Sequence, residues 1–136
     1  MQSLTLPRPL ATRLLFEAQK SPDAEVCGFV GSHDGLACNV YPVRNVADEP
    51  ERRFLMDAAE QVAAIKTMRE RGETMLAIYH SHPDTPPEPS AEDIIGIGYP
   101  EAVLLIVSLN IKGVLEMRAW QLDNNHSREI PLNAID

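Results

Sequence analysis

Hydrophobic and polar positions follow two different periods along this chain, and the switches between them mark the elements. Leu10, Leu14, Leu15 and Ala18 share one face at helical spacing behind Pro9, a residue suited to a helix's first turn. That pattern predicts a helix ending near Ser21-Pro22. Two strand-like runs follow over 26–31 and 36–43, and the Asp34-Gly35 pair between them is a hairpin signal. Residues 53–56 read as a short strand leading to Asp57, which caps a second helix with Glu60 three residues on; Gly72 stops that helix. Residues 74–82 form a further strand, and its Leu76, Ala77 and Ile78 are apolar without interruption, as in a central strand covered on both faces. A short helix is expected from 90 to about 98. Strands over 102–109 and 114–122 then make a second hairpin through 110–113, with Met117 and Trp120 as anchors. The tail 123–136 carries no motif. The order αββ(β)αβαββ predicts an α/β fold with one mixed sheet flanked by helices.

Composition narrows the picture. A chain of 136 residues with 44% hydrophobic content can bury one core and has no room for a second, so a single domain over 1–136 is expected. The formal net charge of -8 argues against a partner held through phosphates, so no nucleic acid is expected. The clusters Arg52-Arg53 and Arg69 to Arg71 read as a strand edge and a helix end rather than as a binding patch. The amino terminus lacks an apolar stretch of signal-peptide length, and the longest apolar run, 102–107, is strand-sized. No membrane contact and a cytoplasmic location follow as expectations. Cys27 and Cys38 could pair across the first hairpin, but in a reducing compartment they are expected as free thiols, Cys27 packed in the core.

The chemistry concentrates in His80-Ser81-His82-Pro83 and Ser90-Ala91-Glu92-Asp93. In an extended strand, residues i and i+2 project from one face about 6.6 Å apart, so the rings of His80 and His82 can converge on one ion while Ser81 points away. Pro83 ends or edges the strand there. Pro86, Pro87 and Pro89 stiffen the return and lower the entropy cost of holding Ser90 and Asp93 opposite the histidines. A His, His, Asp set leaves a zinc ion's fourth position open, the mark of a catalytic site. Each residue also has a plainer reading. Ser90-x-x-Asp93 is a helix capping pattern. His-x-His suits a polar strand face, and Glu25 alone is an ordinary carboxylate ahead of a strand. His33, beside the turn, and His126, in the polar tail, read as solvated.

The spacing His-x-His-Pro, six residues, then Ser-x-x-Asp resembles the signature of the JAMM (JAB/MPN+) metalloprotease family. Ala24-Glu25-Val26-Cys27-Gly28-Phe29-Val30-Gly31 is similar to that family's first strand with its acidic residue, and the likeness covers about 4–122. The resemblance implies a single JAB/MPN-like domain, a curved mixed sheet wrapped by helices. It implies one zinc ion per chain held by His80, His82 and Asp93, with Glu25 as general acid/base and Ser90 steadying the tetrahedral intermediate. It also implies hydrolysis of peptide or isopeptide bonds after the glycine-rich tail of a ubiquitin-like protein. Few residues separate Asp93 from the strand at Ala102, so the chain is similar to the compact prokaryotic branch, whose implied substrate is a sulfur-carrier protein ending in Gly-Gly. The alternatives are an isopeptidase acting on ubiquitin-like conjugates, a non-catalytic MPN-type interaction module, and a DNA-repair-associated relative. The module type typically lacks the ligands, and the last would carry a basic surface. Nothing in the sequence speaks to oligomeric state.

Overall fold

The computed structural model describes residues 3–91, 93, 99, 101–111, 114–123 and 126–136. The elements run β1 (Leu4–Pro7), α1 (Arg8–Gln19), β2 (Cys27–His33), β3 (Leu36–Val43), α2 (Ala58–Glu70), β4 (Thr74–His82), β5 (Val103–Ile111), β6 (Val114–Asp123), β7 (His126–Ile130) and β8 (Leu132–Ile135). Six strands form one sheet in the order β3-β2-β4-β5-β6-β7, and β1 and β8 pair separately. Only β4 and β5 are parallel within the larger sheet; its other pairs are antiparallel.

The two helices take opposite faces because β4 is apolar on both. Leu14 of α1 packs with Tyr79, Val103 and Leu105 on one side. Met68 of α2 packs with Ile78, Leu104 and Ile106 on the other. Ala77 and Ile78 are buried, as a central strand requires. His80 and His82 have the parity of Ile78 and so emerge on the α2 side. Register shifts between Val30 and Gly31 and between Gly31 and Ser32 bend β2 where it faces Met75 and Ala77, at the other end of β4 from the histidines.

Local chemistry accounts for the boundaries. Pro9 sits in the first turn of α1, where a missing N–H costs nothing. The Asp57 carboxylate accepts from the Glu60 N–H at 3.0 Å and starts α2. Asp34 and Gly35 both take positive φ, 53° and 81°, as a two-residue hairpin turn between β2 and β3 demands. Gly28 is needed for a different reason: a Cβ there would lie 2.3 Å from the Tyr41 carbonyl oxygen and 2.6 Å from the Tyr79 ring.

Several expectations change. Residues 53–56 do not form a strand; only an isolated bridge joins Asn45 to Met56, and Arg52 lies in a turn. The Asn45 side chain takes up part of the backbone pairing a strand would use: its Oδ1 accepts from the Leu55 N–H and its Nδ2 donates to the Arg53 carbonyl, both at 3.0 Å. The tail is not structureless. β7 extends the sheet beyond β6, and β8 runs parallel to β1, with Leu4, Leu6 and Ile130 buried beneath. Most of the helix expected from 90 to about 98 and part of the turn at 110–113 lie outside the described residues. Cys27 and Cys38 are not bonded to each other; Cys27 is buried with its Sγ 3.3 Å from the Val43 carbonyl, and Cys38 is exposed. Cys27 is the first residue of β2, and Glu25 lies ahead of that strand.

Candidate metal centre

β4 delivers its two imidazoles to one point, as its i, i+2 alternation requires. The Nε2 atoms of His80 and His82 are 3.1 Å apart. Asp93 Oδ2 completes a triangle, 3.1 Å from His80 Nε2 and 3.2 Å from His82 Nε2. One ligand atom from each of Glu25, His80, His82 and Asp93 falls within 4.8 Å of all the others, and all four residues are buried. Residues separated by up to 68 positions thus share one small volume.

The orientation of each group has a visible cause. The His82 Nδ1–H donates to the Pro86 carbonyl at 2.8 Å, which fixes the tautomer and leaves a lone pair on Nε2. The His80 ring is fully buried and stacks on Phe54, centroids 4.6 Å apart and planes at 28°. Asp93 is held by a reciprocal pair: its Oδ2 accepts from the Ser90 N–H at 2.9 Å, and the Ser90 hydroxyl accepts from the Asp93 N–H at 3.0 Å. The capping pattern read from the sequence and the ligand pattern therefore coexist in the same residues. Because Ser90 uses an acceptor lone pair there, its own O–H remains available to donate, and the residue lines a cleft of about 890 Å³ that Glu25 and His82 also line.

The proline loop is pinned from three sides. Besides His82, the Ser108 hydroxyl donates to the Thr85 carbonyl at 2.7 Å and the Trp120 Nε1–H to the Pro87 carbonyl at 2.9 Å. Trp120 is thus an anchor, although of the loop rather than of the core alone.

Electrostatics within the cluster pull in opposite directions. Burial depresses the pKa of His80. Burial also works against a charge on His82, yet the Asp93 carboxylate, the Pro86 carbonyl and Glu25 together raise it. Asp93 is likewise penalised by burial, and its contacts with both imidazoles outweigh that and hold its carboxyl well below the usual range. Asp93 is therefore an anion in contact with two rings.

These donors fit a metal ion. Bonds of about 2.0–2.1 Å in a tetrahedral site place ligand atoms roughly 3.3–3.4 Å apart, close to the edges of the His80, His82, Asp93 triangle. Two imidazole nitrogens and a carboxylate oxygen facing one another at such distances repel unless a proton or a metal cation lies among them. Imidazole and carboxylate donors also suit a borderline divalent ion.

Three residues that shape the site carried no signal in the sequence. The Ser81 hydroxyl, buried on the opposite side of β4 from the histidines, accepts from the Val26 N–H at 2.9 Å. Asn45 Nδ2 donates to the Glu25 carbonyl at 3.0 Å. Phe54 covers His80. All three act across long sequence separations, which no local spacing records. His33 and His126, by contrast, are exposed and away from the cluster.

A family model described as prokaryotic homologs of the JAB domain matches residues 7–123. The chain belongs to that family. Among relatives of this JAB-family chain, the desampylase of Haloferax volcanii is 38% identical over 67% of the chain and 67% of its own length. The CysO-cysteine peptidase of Mycobacterium tuberculosis is 24% identical over 98% of the chain and 92% of its own length. A protein of Desulfitobacterium hafniense solved in solution superposes with a TM-score of 0.86 at 32% identity, covering 98% of this chain and 93% of that one. A JAB1/MPN domain protein of Archaeoglobus fulgidus superposes at 0.63 with 15% identity over 100% of both chains, a likeness of fold. The curved mixed sheet with its two helices is the JAB/MPN fold.

Proposed function

We propose that this chain is a zinc-dependent JAMM-type peptidase that cuts the bond after the carboxyl-terminal Gly-Gly of a ubiquitin-like sulfur-carrier protein. The observation that carries this reading is the convergence of His80, His82 and Asp93 beside Glu25 at the wall of an open cleft. His80, His82 and Asp93 hold the metal, one ion per chain. When bound, the metal supplies Lewis-acid polarisation of the scissile carbonyl and acidifies the attacking water.

The remaining work falls to the chain's own groups. Glu25 is buried and within 4.8 Å of the ligand atoms. It takes the proton of the attacking water and delivers it to the departing nitrogen, a step usually worth about 10²–10⁴-fold. Ser90 donates its hydroxyl hydrogen bond to the oxygen on which charge develops, a contact that strengthens only as the transition state forms. Glycine at the scissile end of the substrate allows a bare backbone to pass between the proline loop and the turn at Arg52.

The names of the relatives, desampylase and CysO-cysteine peptidase, support a peptidase acting on a carrier protein or its conjugates. The complete donor set speaks against the non-catalytic MPN-type module. Two unbonded cysteines support a cytoplasmic setting, and no described helix is long and apolar enough to cross a membrane.

Elemental analysis of the purified protein tests the metal: one zinc per chain is expected, and His80→Ala/His82→Ala should lack it. Mass spectrometry of a sulfur carrier extended beyond its Gly-Gly, before and after incubation, reads the cut directly. Unchanged zinc in the double variant would remove the proposed ligands. Cleavage of lysine-linked conjugates with extended carriers left intact would replace the substrate and keep the metal.

A further inference from the structure

Arg52 differs in sign from every other charged side chain of the cleft. Among the described residues lining it, Asp23, Glu25, Glu51, Asp84 and Glu88 carry carboxylates, and Arg52 is the one lysine or arginine. Its backbone is locked beside Glu25. The Glu25 N–H donates to the Pro50 carbonyl at 2.7 Å, and Asn45 Nδ2 donates at 3.0 Å to both the Glu25 and the Arg53 carbonyls. Residues on either side of Arg52 are therefore tied to the backbone of Glu25. The Arg52 and Arg53 N–H groups close the turn on the Glu49 carbonyl at 3.0 and 3.1 Å.

The guanidinium itself is loosely engaged. Its Nη1 meets Glu49 Oε2 at 3.5 Å, and the side chain is 71% exposed. A fork of five donors with one long contact keeps its capacity to grip a second carboxylate in a bidentate manner.

Glu25 delivers its proton to the leaving nitrogen, so a cation that lines the same cleft, on a turn tied to the Glu25 backbone, can serve the leaving-group side. When the leaving group is a single amino acid, its α-carboxylate carbon is two bonds, roughly 2.5 Å, from that nitrogen. When the leaving group is a lysine side chain, four methylenes follow the nitrogen and no carboxylate is near. Resting on the peptidase reading above, we propose that Arg52 binds the free α-carboxylate of the departing residue, so that the preferred substrate is a Gly-Gly chain extended by one amino acid. The acidic lining sharpens the choice. A substrate carboxylate entering elsewhere in the cleft faces Asp23, Glu51, Asp84 or Glu88, and like charges in apposition are rejected.

The test uses the zinc-loaded full chain and two carriers ending in Gly-Gly-Ala, one with a free terminal carboxylate and one amidated. The wild type should favour the free carboxylate in kcat/KM by about tenfold or more. Arg52→Gln should erase that preference by slowing the carboxylate substrate alone, and Arg52→Lys should retain part of it, with zinc content and Tm unchanged in both. Equal turnover of the two carriers by the wild type, or an Arg52→Gln variant that slows both alike, overturns the role of Arg52 and leaves the peptidase reading intact. If neither carrier nor any lysine-linked conjugate is cut, the peptidase reading falls and this inference with it.

Discussion

The Ser81 hydroxyl accepts the Val26 backbone N–H at 2.9 Å, and the Ser81 N–H donates in turn to the Val26 carbonyl at 3.0 Å. This pair couples the strand that carries both histidines to the segment that carries Glu25. The proposed metal ligands and the proposed proton carrier are therefore tied together although the two bonded residues stand 55 positions apart.

Ser81→Ala should leave the Val26 N–H without its side-chain acceptor, at a cost of about 1–3 kcal/mol in urea unfolding. Zinc content should be retained, because both histidines stay on β4. Ser81 is a positioning residue, so kcat should fall by roughly tenfold or more with KM little changed as Glu25 loosens. Full kcat at full zinc occupancy would show that the bond serves stability alone.

Glu25→Gln should keep the zinc and the fold and lose about 10²–10⁴-fold in hydrolysis, since the amide is nearly isosteric but cannot accept and pass on a proton at neutral pH. Zinc analysis and thermal unfolding run beside the rate assay check this. Loss of the metal would reassign Glu25 to the coordination shell.

Ser90→Ala separates two roles that share one side chain. As an oxyanion donor, Ser90 should be worth about 10²-fold in kcat at steady KM. As an acceptor of the Asp93 N–H, it should contribute about 1 kcal/mol to stability. A variant that is less stable yet fully active would reduce Ser90 to its capping role.

Thiol labelling reads the packing of β2. Burial, followed by the charges of Glu25 and Glu60, pushes the Cys27 thiol up to about 12, so it stays protonated at neutral pH. Cys38 is exposed. One thiol per chain should react under native conditions and two after denaturation, and Cys38→Ser should abolish native labelling. Rapid native modification of Cys27 would mean that the strand opens near Glu25.

Much of this protein was legible from order alone. Helical and alternating periods located α1, α2 and the strands β2 to β6, because amphipathic spacing is a local property of the chain. His80, His82, Ser90 and Asp93 were visible because strand alternation and a short, proline-stiffened return bring near neighbours together. β1, β7 and β8 were not visible: their short segments have weak patterns, and burial of Leu4, Leu6 and Ile130 against the rest of the core decides their conformation. The same physics hid half of the site. Glu25 has no local mark beyond its place in a family pattern, and its position relative to the histidines depends on the antiparallel register that sets Cys27 opposite His80. Asn45, Phe54, Ser81 and Arg52 acquire their roles only when distant backbone segments meet, because a hydrogen bond or ring contact between remote residues leaves no spacing in the sequence. Residue types and local periods are thus properties of the chain, whereas which carboxylate faces the histidines, and which cation shares their cleft, were decided by tertiary packing.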